Sequence, residues 1–395
     1  MRLVPILSAV LLIACFDIDP DDQDGDGVEA ADDCDDFDSS VYPGAEEICD
    51  GQRNNCNDRR WVNDHGAWMD EHEGDGPVEV TDDWDDYYST GPAEWSPTAE
   101  NTTLYLCERE NYPWYLTITV DESIRSLAIR GYEYEGMGGT YSPSVMTGWH
   151  DTVISGTLAD DGLLTLDGIR VATGIASGSG GNLSLEGGKL FLYDVAFDAG
   201  EAGAFGGSIY TKDTAVSGEG VLIEHSEAGQ NGGAAFFDGG SVVLADVTVT
   251  DSVAGFGGGG LHFEGVDAEL SDCSFEDNTS QDSGGAVTLE GTSTLALSDC
   301  TLSGNAAGEG GGGIFAFDDA SLAATDVHFS SNEASGPGFG DHVLLRGELT
   351  CDDCEFSGVT SDDIYVGPDL FQGYSFSGTT DVRCDTTSGC TEGTL

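Results

Sequence analysis

A repeat of about 27 residues is the feature of this chain that most constrains its fold. Three asparagines, Asn278, Asn305 and Asn332, fall at every 27th position, and we predict that they form a buried ladder that bonds the turn backbone. A second series with the same step is Cys273, Cys300, Val327 and Cys354. A fixed period of this length predicts stacked structural repeats, each of which covers its neighbour.

An aspartate series extends the repeat towards the N-terminus. Its members are Asp353, Asp326, Asp299, Asp272, Asp246, Asp194 and Asp167. Successive members differ by 27 in residue number, except for 26 between Asp246 and Asp272 and a double step of 52 between Asp194 and Asp246. We interpret residues 222–227, inside the double step, as an irregular coil. The series indicates about eight repeats in total.

Within each repeat, apolar residues alternate with polar ones over short runs. Leu295 and Leu297 precede a polar corner at Asp299, and Cys300 and Leu302 follow it. Such period-two alternation, broken by Gly, Asn, Asp and Ser, predicts short strands and turns, and no segment shows the 3.6-residue period of a helix. The predicted fold is all-β, a parallel β-helix built as a solenoid with coils of about 27 residues.

Two segments carry a family resemblance. FEDNTSQDSGGAVTL at 275–289 and LSGNAAGEGGGGIFA at 302–316 resemble the repeat unit of polymorphic outer-membrane proteins and of other pectin-lyase-like β-helices, and residues 329–336 keep its first half. The resemblance implies a single-stranded, right-handed helix. It also implies that polysaccharide lyases and glycosidases are among the relatives of this fold.

The N-terminal segment MRLVPILSAVLLIAC, residues 1–15, predicts an export signal. One arginine precedes an apolar run from Leu3 to Ala14, which is too short to span a membrane. Residues 12–15 resemble a bacterial lipobox, which implies lipidation of Cys15 and a membrane anchor in the cell envelope, at the outer membrane or cell surface. An ordinary secretory peptide with an incidental cysteine is the alternative.

Net charge and cysteine content narrow the possible partners. The formal charge of −62 excludes nucleic acid and anionic membrane surfaces as electrostatic partners, and leaves cations, neutral glycans and proteins. Without Cys15, ten of the 11 cysteines remain, an even number that suits an oxidising compartment. The pairs Cys351/Cys354 and Cys384/Cys390 could bond locally or with each other. Whether Cys273 and Cys300 bond inside the helix stays open.

An acidic segment after the signal predicts a calcium loop. Counting from Asp22, carboxylates stand at loop positions 1, 3 and 5, a turn glycine at 6 and an aspartate at 12. The predicted ligands are Asp22, Asp24, Asp26, the Val28 carbonyl and Asp33. Carboxylate oxygens without a nearby histidine favour Ca²⁺ over zinc or copper. A disordered acidic tether is the alternative.

The same region resembles a second family. Residues 24–51, DGDG followed by DDCDDFDSSVYPGAEEICDG, resemble the MopE-type metal-binding motif of bacterial surface proteins. The family name is tied to copper, but this segment lacks soft or imidazole ligands, so copper is the lesser prediction. Residues 16–60 are therefore predicted to be an acidic, cysteine-containing metal-binding module, in which the departures at 52–58 weaken any second site.

The remaining boundaries follow from composition. Residues 61–98 hold four of the six tryptophans and are predicted to be a linker or an N-terminal cap, with a carbohydrate-stacking or second calcium patch as the alternative. Residues 99–395 are predicted to be the β-helix with its C-terminal cap. The seven histidines show no metal-ligand spacing, and His328 is predicted to be exposed.

Scarce basic residues argue against lyase chemistry, which needs a base and cation-binding groups near the sugar. Between 156 and 395 the only Lys and Arg residues are Arg170, Lys189, Lys212, Arg346 and Arg383. Adjacent aspartates such as Asp160–Asp161 and Asp318–Asp319 leave a glycosidase open, but the aspartate series is better explained as corner residues that bond their own turns. We therefore predict a surface-anchored lipoprotein whose β-helix binds or adheres to a glycan or protein. A polysaccharide-degrading enzyme and a structural envelope protein are the alternatives.

Overall fold

The computed structural model describes residues 22–33, 35, 37–43, 45, 67–71, 93–97, 100–107, 114–132, 144–148, 151–335, 341–345, 348–352, 354–357, 364–366, 374–376 and 382–384. Regular structure within these residues is entirely β-strand, as the alternation predicts. No helix in this part of the chain is long and apolar enough to cross a membrane.

The strands are short and follow one another closely along the chain. The N-terminal ones are β1 Ala67–Glu71, β2 Ala93–Trp95, β3 Asn101–Cys107, β4 Trp114–Val120, β5 Ser126–Tyr132, β6 Ser144–Thr147, β7 Ile154–Thr157, β8 Leu163–Asp167, β9 Ile169–Ala172, β10 Ile175–Ala176 and β11 Leu183–Glu186. The central ones are β12 Lys189–Asp198, β13 Glu201–Ala202, β14 Ile209–Lys212, β15 Ala215–Glu224, β16 Glu227–Ala228, β17 Ala235–Asp238, β18 Ser241–Thr250, β19 Val253–Ala254, β20 Leu261–Glu264, β21 Asp267–Glu276, β22 Thr279–Ser280 and β23 Val287–Glu290. The C-terminal ones are β24 Thr294–Ser303, β25 Ala306–Ala307, β26 Ile314–Ala316, β27 Ser321–Ser330, β28 Glu333–Ala334, β29 Val343–Leu345, β30 Glu348–Asp352, β31 Glu355–Ser357, β32 Ile364–Val366, β33 Tyr374–Phe376 and β34 Val382–Cys384.

The strands wind into a solenoid with three walls. The long wall consists of the ten-residue strands β12, β15, β18, β21, β24 and β27, and each pairs in parallel with the next. A second wall is a sheet of seven two-residue strands, from β10 to β28. The third wall stacks β11, β14, β17, β20, β23, β26 and β29 in parallel. Because each coil pairs with the coils before and after it, edges remain only at the ends of the stack.

A left-handed residue bends every long strand. In β12, Leu190 and Leu192 are buried before the bend and Val195 and Phe197 after it. Strict alternation would turn one of these pairs outward, but Asp194 has a φ of 48° and resets the phase. Both arms of the strand therefore line the core. Aspartate suits this position because it tolerates the left-handed conformation better than most residues.

The core is a set of columns that run along the solenoid. One column consists of Phe197, Ile223, Val249, Phe275, Leu302 and Phe329 in consecutive coils. Each of these side chains is at most 2% exposed. Full burial of an apolar side chain of this size contributes about 1.5–3 kcal/mol relative to an exposed one. The column therefore helps to hold the coils in register.

The repeat length changes once along the long wall. Glu264 pairs with Glu290, a difference of 26 in residue number, whereas Asp267 pairs with Thr294, a difference of 27. The added residue lies in the turn before β24, where the Ser293 hydroxyl donates to Glu290 O (2.7 Å) and lies 3.1 Å from Phe263 O. The predicted period of 27 holds along this wall from the turn onward, and the preceding coils, back to β8, have a period of 26.

Two details of the predicted aspartate series are wrong. Tyr193 pairs with Asp167, so the corner equivalent to Asp194 is Gly168, with a φ of 62°. The coil containing residues 222–227 is also regular, because β15 pairs residue by residue with both neighbours. Gly220 occupies its corner with a φ of 70°. The double step is thus two ordinary coils with a period of 26 each, and glycine stands at the middle corner.

The corner role predicted for the aspartates is confirmed by the backbone from Asp194 onward, and their bonds to their own turns stay a prediction. At Asp194 the carboxylate lies against the next corner, since a Cβ added to Gly220 would stand 2.4 Å from its Oδ1. Asp353 lies outside the described residues. The other corner aspartates share the left-handed φ of about 50°.

The predicted asparagine ladder is confirmed. Asn278 Nδ2 donates to Asn305 Oδ1 at 3.0 Å, and Asn305 Nδ2 donates to Asn332 Oδ1 at 2.9 Å. All three side chains are fully buried. Ser252 takes the equivalent position one coil earlier, and its N–H donates to Asn278 Oδ1 at 3.1 Å. These bonds supply partners for backbone groups that the turn would otherwise bury unpaired.

Two disulfides resolve questions that the sequence leaves open. Cys273 and Cys300 are bonded between neighbouring coils in the core. Cys351 and Cys354 are bonded to each other, which is the local pairing of the two considered. Cys384 lies in β34, and Cys390 is outside the described residues. Ahead of the solenoid, β1 pairs antiparallel with β3, which itself pairs in parallel with β5.

Candidate metal loop and binding face

The acidic loop begins with two turns closed by Asp22. Its carboxylate accepts hydrogen bonds from the N–H of Gly25 at 2.8 Å and of Gly27 at 3.1 Å. Both glycines have positive φ, 80° and 95°, a backbone that other residues adopt at a cost. The local sequence therefore folds the chain around the Asp22 carboxylate.

Two further aspartates are held by the backbone in the same way. Asp24 Oδ1 accepts from the N–H of Asp26 at 3.2 Å, and Asp26 Oδ1 accepts from the N–H of Val28 at 2.7 Å. A turn follows, in which the N–H of Asp33 donates to Glu29 O at 3.0 Å. This turn brings Asp33 back towards the loop.

The carboxylates of the loop converge on one point. Ligand oxygens of Asp22, Asp24 and Asp26 all lie within 4.8 Å of one another. The Oδ2 atoms of Asp24, Asp26 and Asp33 are shielded from solvent and have no hydrogen-bond partner among the described residues. A shielded carboxylate oxygen without a donor is costly, and a cation at the centre of the loop would satisfy those of Asp24 and Asp26 together. Asp33 is not part of the convergent group, so its role as a ligand stays a prediction.

The electrostatics of Asp24 agree with this arrangement. Desolvation raises its pKa above the usual value, and the charges of Asp26, Asp33 and Asp22 raise it further. The hydrogen bond from the Asp26 N–H opposes these effects. A divalent cation would reverse the repulsion. Because the donors are all hard oxygens, the loop fits Ca²⁺ in chemistry; the carbonyl of Val28 as a further ligand stays a prediction.

A second candidate site lies on the outer face of the long wall. We define the small-residue face as two rows of outward positions on β18 to β30. One row is Ser241, Asp267, Thr294 and Ser321, and the other is Val243, Glu269, Ala296, Ala323 and Thr350. Short side chains in successive coils leave a shallow groove of about 530 Å³ along the solenoid. Successive positions repeat at about 4.8 Å, the spacing of parallel strands.

The groove contains two acidic side chains on one strand. Asp267 Oδ1 accepts a hydrogen bond from Thr294 Oγ1 of the next coil at 2.9 Å, and Glu269 lies two residues further along β21. Sequence reasoning missed both residues, since it searched for adjacent aspartates. Alternation along a strand with known register would have found them, because positions two apart share a face.

Two models of known protein families match parts of this chain. A family model described as right handed beta helix region matches residues 206–380. This segment is therefore similar to right-handed β-helix regions of other proteins. The parallel coils of the β-helix extend beyond this match towards the N-terminus, where β7 and β8 already pair with β11 and β12. The predicted all-β parallel solenoid is therefore confirmed, and the matching family model agrees with the predicted right hand.

A second family model, the metal-binding motif named Cu-binding MopE, matches residues 33–60. A metal-binding motif is thus present, and its model begins at Asp33, the last predicted ligand of the acidic loop. Searches of curated proteins and of solved structures return no match.

Part of the MopE-type motif is described. Asp38 Oδ1 accepts from the N–H of Ser40 at 3.1 Å and from its hydroxyl at 2.6 Å, while Val41 and Ala45 are buried. The segment therefore continues as tight turns after the acidic loop. The lipidation residue predicted at Cys15 lies outside the described residues.

Two of the aspartate pairs considered for catalysis lie in turns. Asp160–Asp161 falls between β7 and β8, and Asp318, with a φ of 60°, falls between β26 and β27. Two further adjacent pairs in the sequence are Asp352–Asp353 and Asp362–Asp363. Asp352 ends strand β30, and the other three residues lie outside the described part of the chain. His328 is exposed, as predicted, with its Nδ1 3.0 Å from Glu355 Oε2.

Proposed function

We propose that this protein is a surface-anchored lipoprotein that binds an extended polymer along the small-residue face of its β-helix. The shallow groove of about 530 Å³ from Ser241 to Thr350 is the observation that carries the proposal. It is long, regular and lined by short side chains, which suits an extended chain better than a compact molecule. The preferred ligand class is a neutral polysaccharide, because the charge of −62 repels polyanions.

The remaining parts of the chain fit an anchored binding protein. The lipobox-like segment ending at Cys15 would hold the chain to the membrane. The acidic loop would take up Ca²⁺ and stiffen the connection between anchor and β-helix. Support for the anchor comes from the sequence alone, and support for the loop comes from its converging oxygens.

Retention on polysaccharides tests the binding face. The full chain is passed over immobilised neutral bacterial and plant polysaccharides in millimolar Ca²⁺, and new reducing ends are measured in the same samples. Retention without release supports the proposal. Release of reducing ends would replace it with a glycosidase, and Asp267→Asn and Glu269→Gln would then be the first variants to assay.

A matched pair of variants locates the ligand. Ala296→Trp places a bulky ring in the groove, whereas Thr301→Trp places the same ring on the other arm of β24, outside the groove. We expect the first substitution to weaken retention at least tenfold and the second to leave it unchanged. Equal effects would place the ligand elsewhere on the protein.

Calcium titration of the full chain tests the acidic loop. Asp24→Ala removes one charge and both carboxylate oxygens from the convergent cluster, so calcium binding by the loop should be lost. Asp32→Ala is the control, because Asp32 is exposed in the same loop and its N–H donates to Glu29 O. Unchanged Ca²⁺ binding by the Asp24 variant, or tighter binding of copper than of calcium, would contradict the assignment.

A further inference from the structure

A cluster of charged side chains lies on the long wall, one coil apart and away from the groove. Asp198 ends β12, Glu224 ends β15, and His225 follows it directly. Arg170 of β9 completes the group. None of these four residues belongs to the acidic loop or to the small-residue face.

Arg170 holds one oxygen of each carboxylate. Its Nη2 lies 2.6 Å from Asp198 Oδ2 and 2.8 Å from Glu224 Oε1. Burial by itself would lower the pKa of Arg170, but the bonds and charges of the two carboxylates raise it overall, so the guanidinium stays charged. Both carboxylates are thereby oriented by a fixed donor, the arrangement that metal ligands commonly receive from groups behind them.

The other oxygen of each carboxylate faces His225. Its Nδ1 lies 3.1 Å from Asp198 Oδ1 and 3.8 Å from Glu224 Oε2. Two donors bound at ~2.1 Å to one ion stand about 3.0 Å apart in an octahedral site and about 3.4 Å apart in a tetrahedral one. Asp198 and His225 are therefore at coordination spacing already. All three ligand atoms lie within 4.8 Å of one another, so a shift of the Glu224 carboxylate would bring them around one ion.

The backbone holds this geometry in place. The N–H of Ala199 donates to Glu224 O at 3.0 Å, and the N–H of His225 donates to Thr250 O at 3.2 Å. The carboxylates are only 20% and 18% exposed, whereas the imidazole is 57% exposed. An ion bound here would be held on rigid strands and would keep positions open to solvent.

We infer that Asp198, Glu224 and His225 bind a divalent transition metal ion, with Zn²⁺ as the representative species. The carboxylates of Asp198 and Glu224 carry two negative charges and Arg170 carries one positive charge. The cluster therefore has one net negative charge, which attracts a cation. Imidazole with carboxylates selects zinc and its neighbours rather than calcium, which takes oxygen ligands. The β-helix would then carry a metal chemically different from that of the acidic loop.

The test is Zn²⁺ titration of the full chain in excess Ca²⁺, which keeps the carboxylate loop occupied. Binding heat is measured together with the ¹⁵N resonances of the histidine rings. We expect one site whose occupancy shifts a single imidazole. His225→Gly, which suits the left-handed φ of 53° at this position, and Asp198→Asn should each weaken binding at least tenfold.

His328 provides the matched control. It is also exposed and also places Nδ1 3.0 Å from a carboxylate, that of Glu355, so His328→Gly changes a comparable ion pair. This variant should keep full zinc affinity. No binding up to millimolar Zn²⁺, unchanged affinity in the His225 variant, or equal loss in the His328 variant would overturn the inference and leave the cluster as a salt-bridge network.

Discussion

At the scale of single residues, buried polar side chains help to determine how neighbouring coils of this solenoid align. Asn305 is typical, since it accepts from the N–H and from the side chain of Asn278, both at 3.0 Å. It donates in turn to Phe275 O and to Asn332 Oδ1, both at 2.9 Å. Asn278 and Asn305 thus each link three coils.

Asn305→Ala should be strongly destabilising. The substitution leaves the Phe275 carbonyl and the Asn278 donors without their partners, and each unsatisfied buried group costs about 1–3 kcal/mol, so we expect a loss of at least about 3 kcal/mol. Urea denaturation followed by circular dichroism measures it. Thr301→Ala, on the outer surface of β24, should change stability by no more than ~0.5 kcal/mol. Equal midpoints for the two variants would refute the role of the ladder.

A buried histidine makes stability depend on pH. Burial lowers the pKa of His342 to about 4 from its usual value of 6.5. Its ring lies 3.0 Å from Asn332 Nδ2, which donates to the unprotonated Nδ1. The unfolded chain takes up a proton below pH 6.5, whereas the folded chain does not until about pH 4. The stability that unprotonated His342 contributes is therefore fully present above pH 6.5. It falls as the pH drops towards 4, by up to about 1.4 kcal/mol per pH unit.

Comparing the parent protein with His342→Gln separates the effect of this histidine on stability from the effect of the many carboxylates. Glutamine keeps a hydrogen-bond acceptor but does not titrate, so the variant should lose less stability than the parent between pH 6.5 and 4. Urea midpoints at several pH values provide the measurement. An equally steep decline in both proteins would show that His342 is not responsible.

At the scale of elements, the bend of the long strand determines which residues can stand at each corner. Asp272 has a φ of 51°. Asp272→Val should cost about 1–2 kcal/mol because a branched residue resists this conformation, whereas Asp272→Gly should cost less than ~0.5 kcal/mol. Glu269→Val, at an exposed extended position of the same strand, is the control for the added valine. Thermal midpoints compare the three variants, and similar losses for Val and Gly at the corner would contradict the argument.

The same corner explains how far the fold could be predicted. The recurring aspartates, the recurring asparagines and the alternating apolar residues predicted the solenoid, the ladder and the strands, because all three patterns are present in the sequence itself. The requirement at a corner is a backbone conformation, which Gly168 and Gly220 satisfy as well as aspartate. A series defined by aspartate therefore placed one corner at Asp167 instead of Gly168. It also treated the regular coil around Gly220 as irregular.

Side-chain clusters between coils were harder to predict for a related reason. Asp198 and Glu224 pair across neighbouring coils, and this pairing is visible only when the period is known to be 26 rather than 27. The acidic loop could be predicted from the sequence because its proposed ligands are local, within residues 22–33. Long-range sites in a solenoid depend on an exact register, and local ones do not.

At the scale of the whole molecule, the protein is a stack in which each coil contacts its neighbours. Three walls, a core of columns and a buried ladder all repeat along one axis. Losses of stability at one coil should therefore remain largely local, since stability in such stacks is close to a sum over repeats and their interfaces. The described coils present two chemically distinct outer surfaces, the small-residue face and the cluster around Arg170.

The disulfide between Cys273 and Cys300 has a mechanical consequence. A solenoid pulled from its ends unravels coil by coil, and each coil releases about 90 Å of chain at ~3.5 Å per residue. The disulfide closes a loop with a sequence separation of 27, so that length cannot be released under tension while the bond is intact. Single-molecule pulling should therefore give a total extension about 90 Å longer under reducing conditions. Equal extensions under oxidising and reducing conditions would mean that the bond is absent. The expected difference would mean that this coil limits how far the solenoid can be stretched until the bond is reduced.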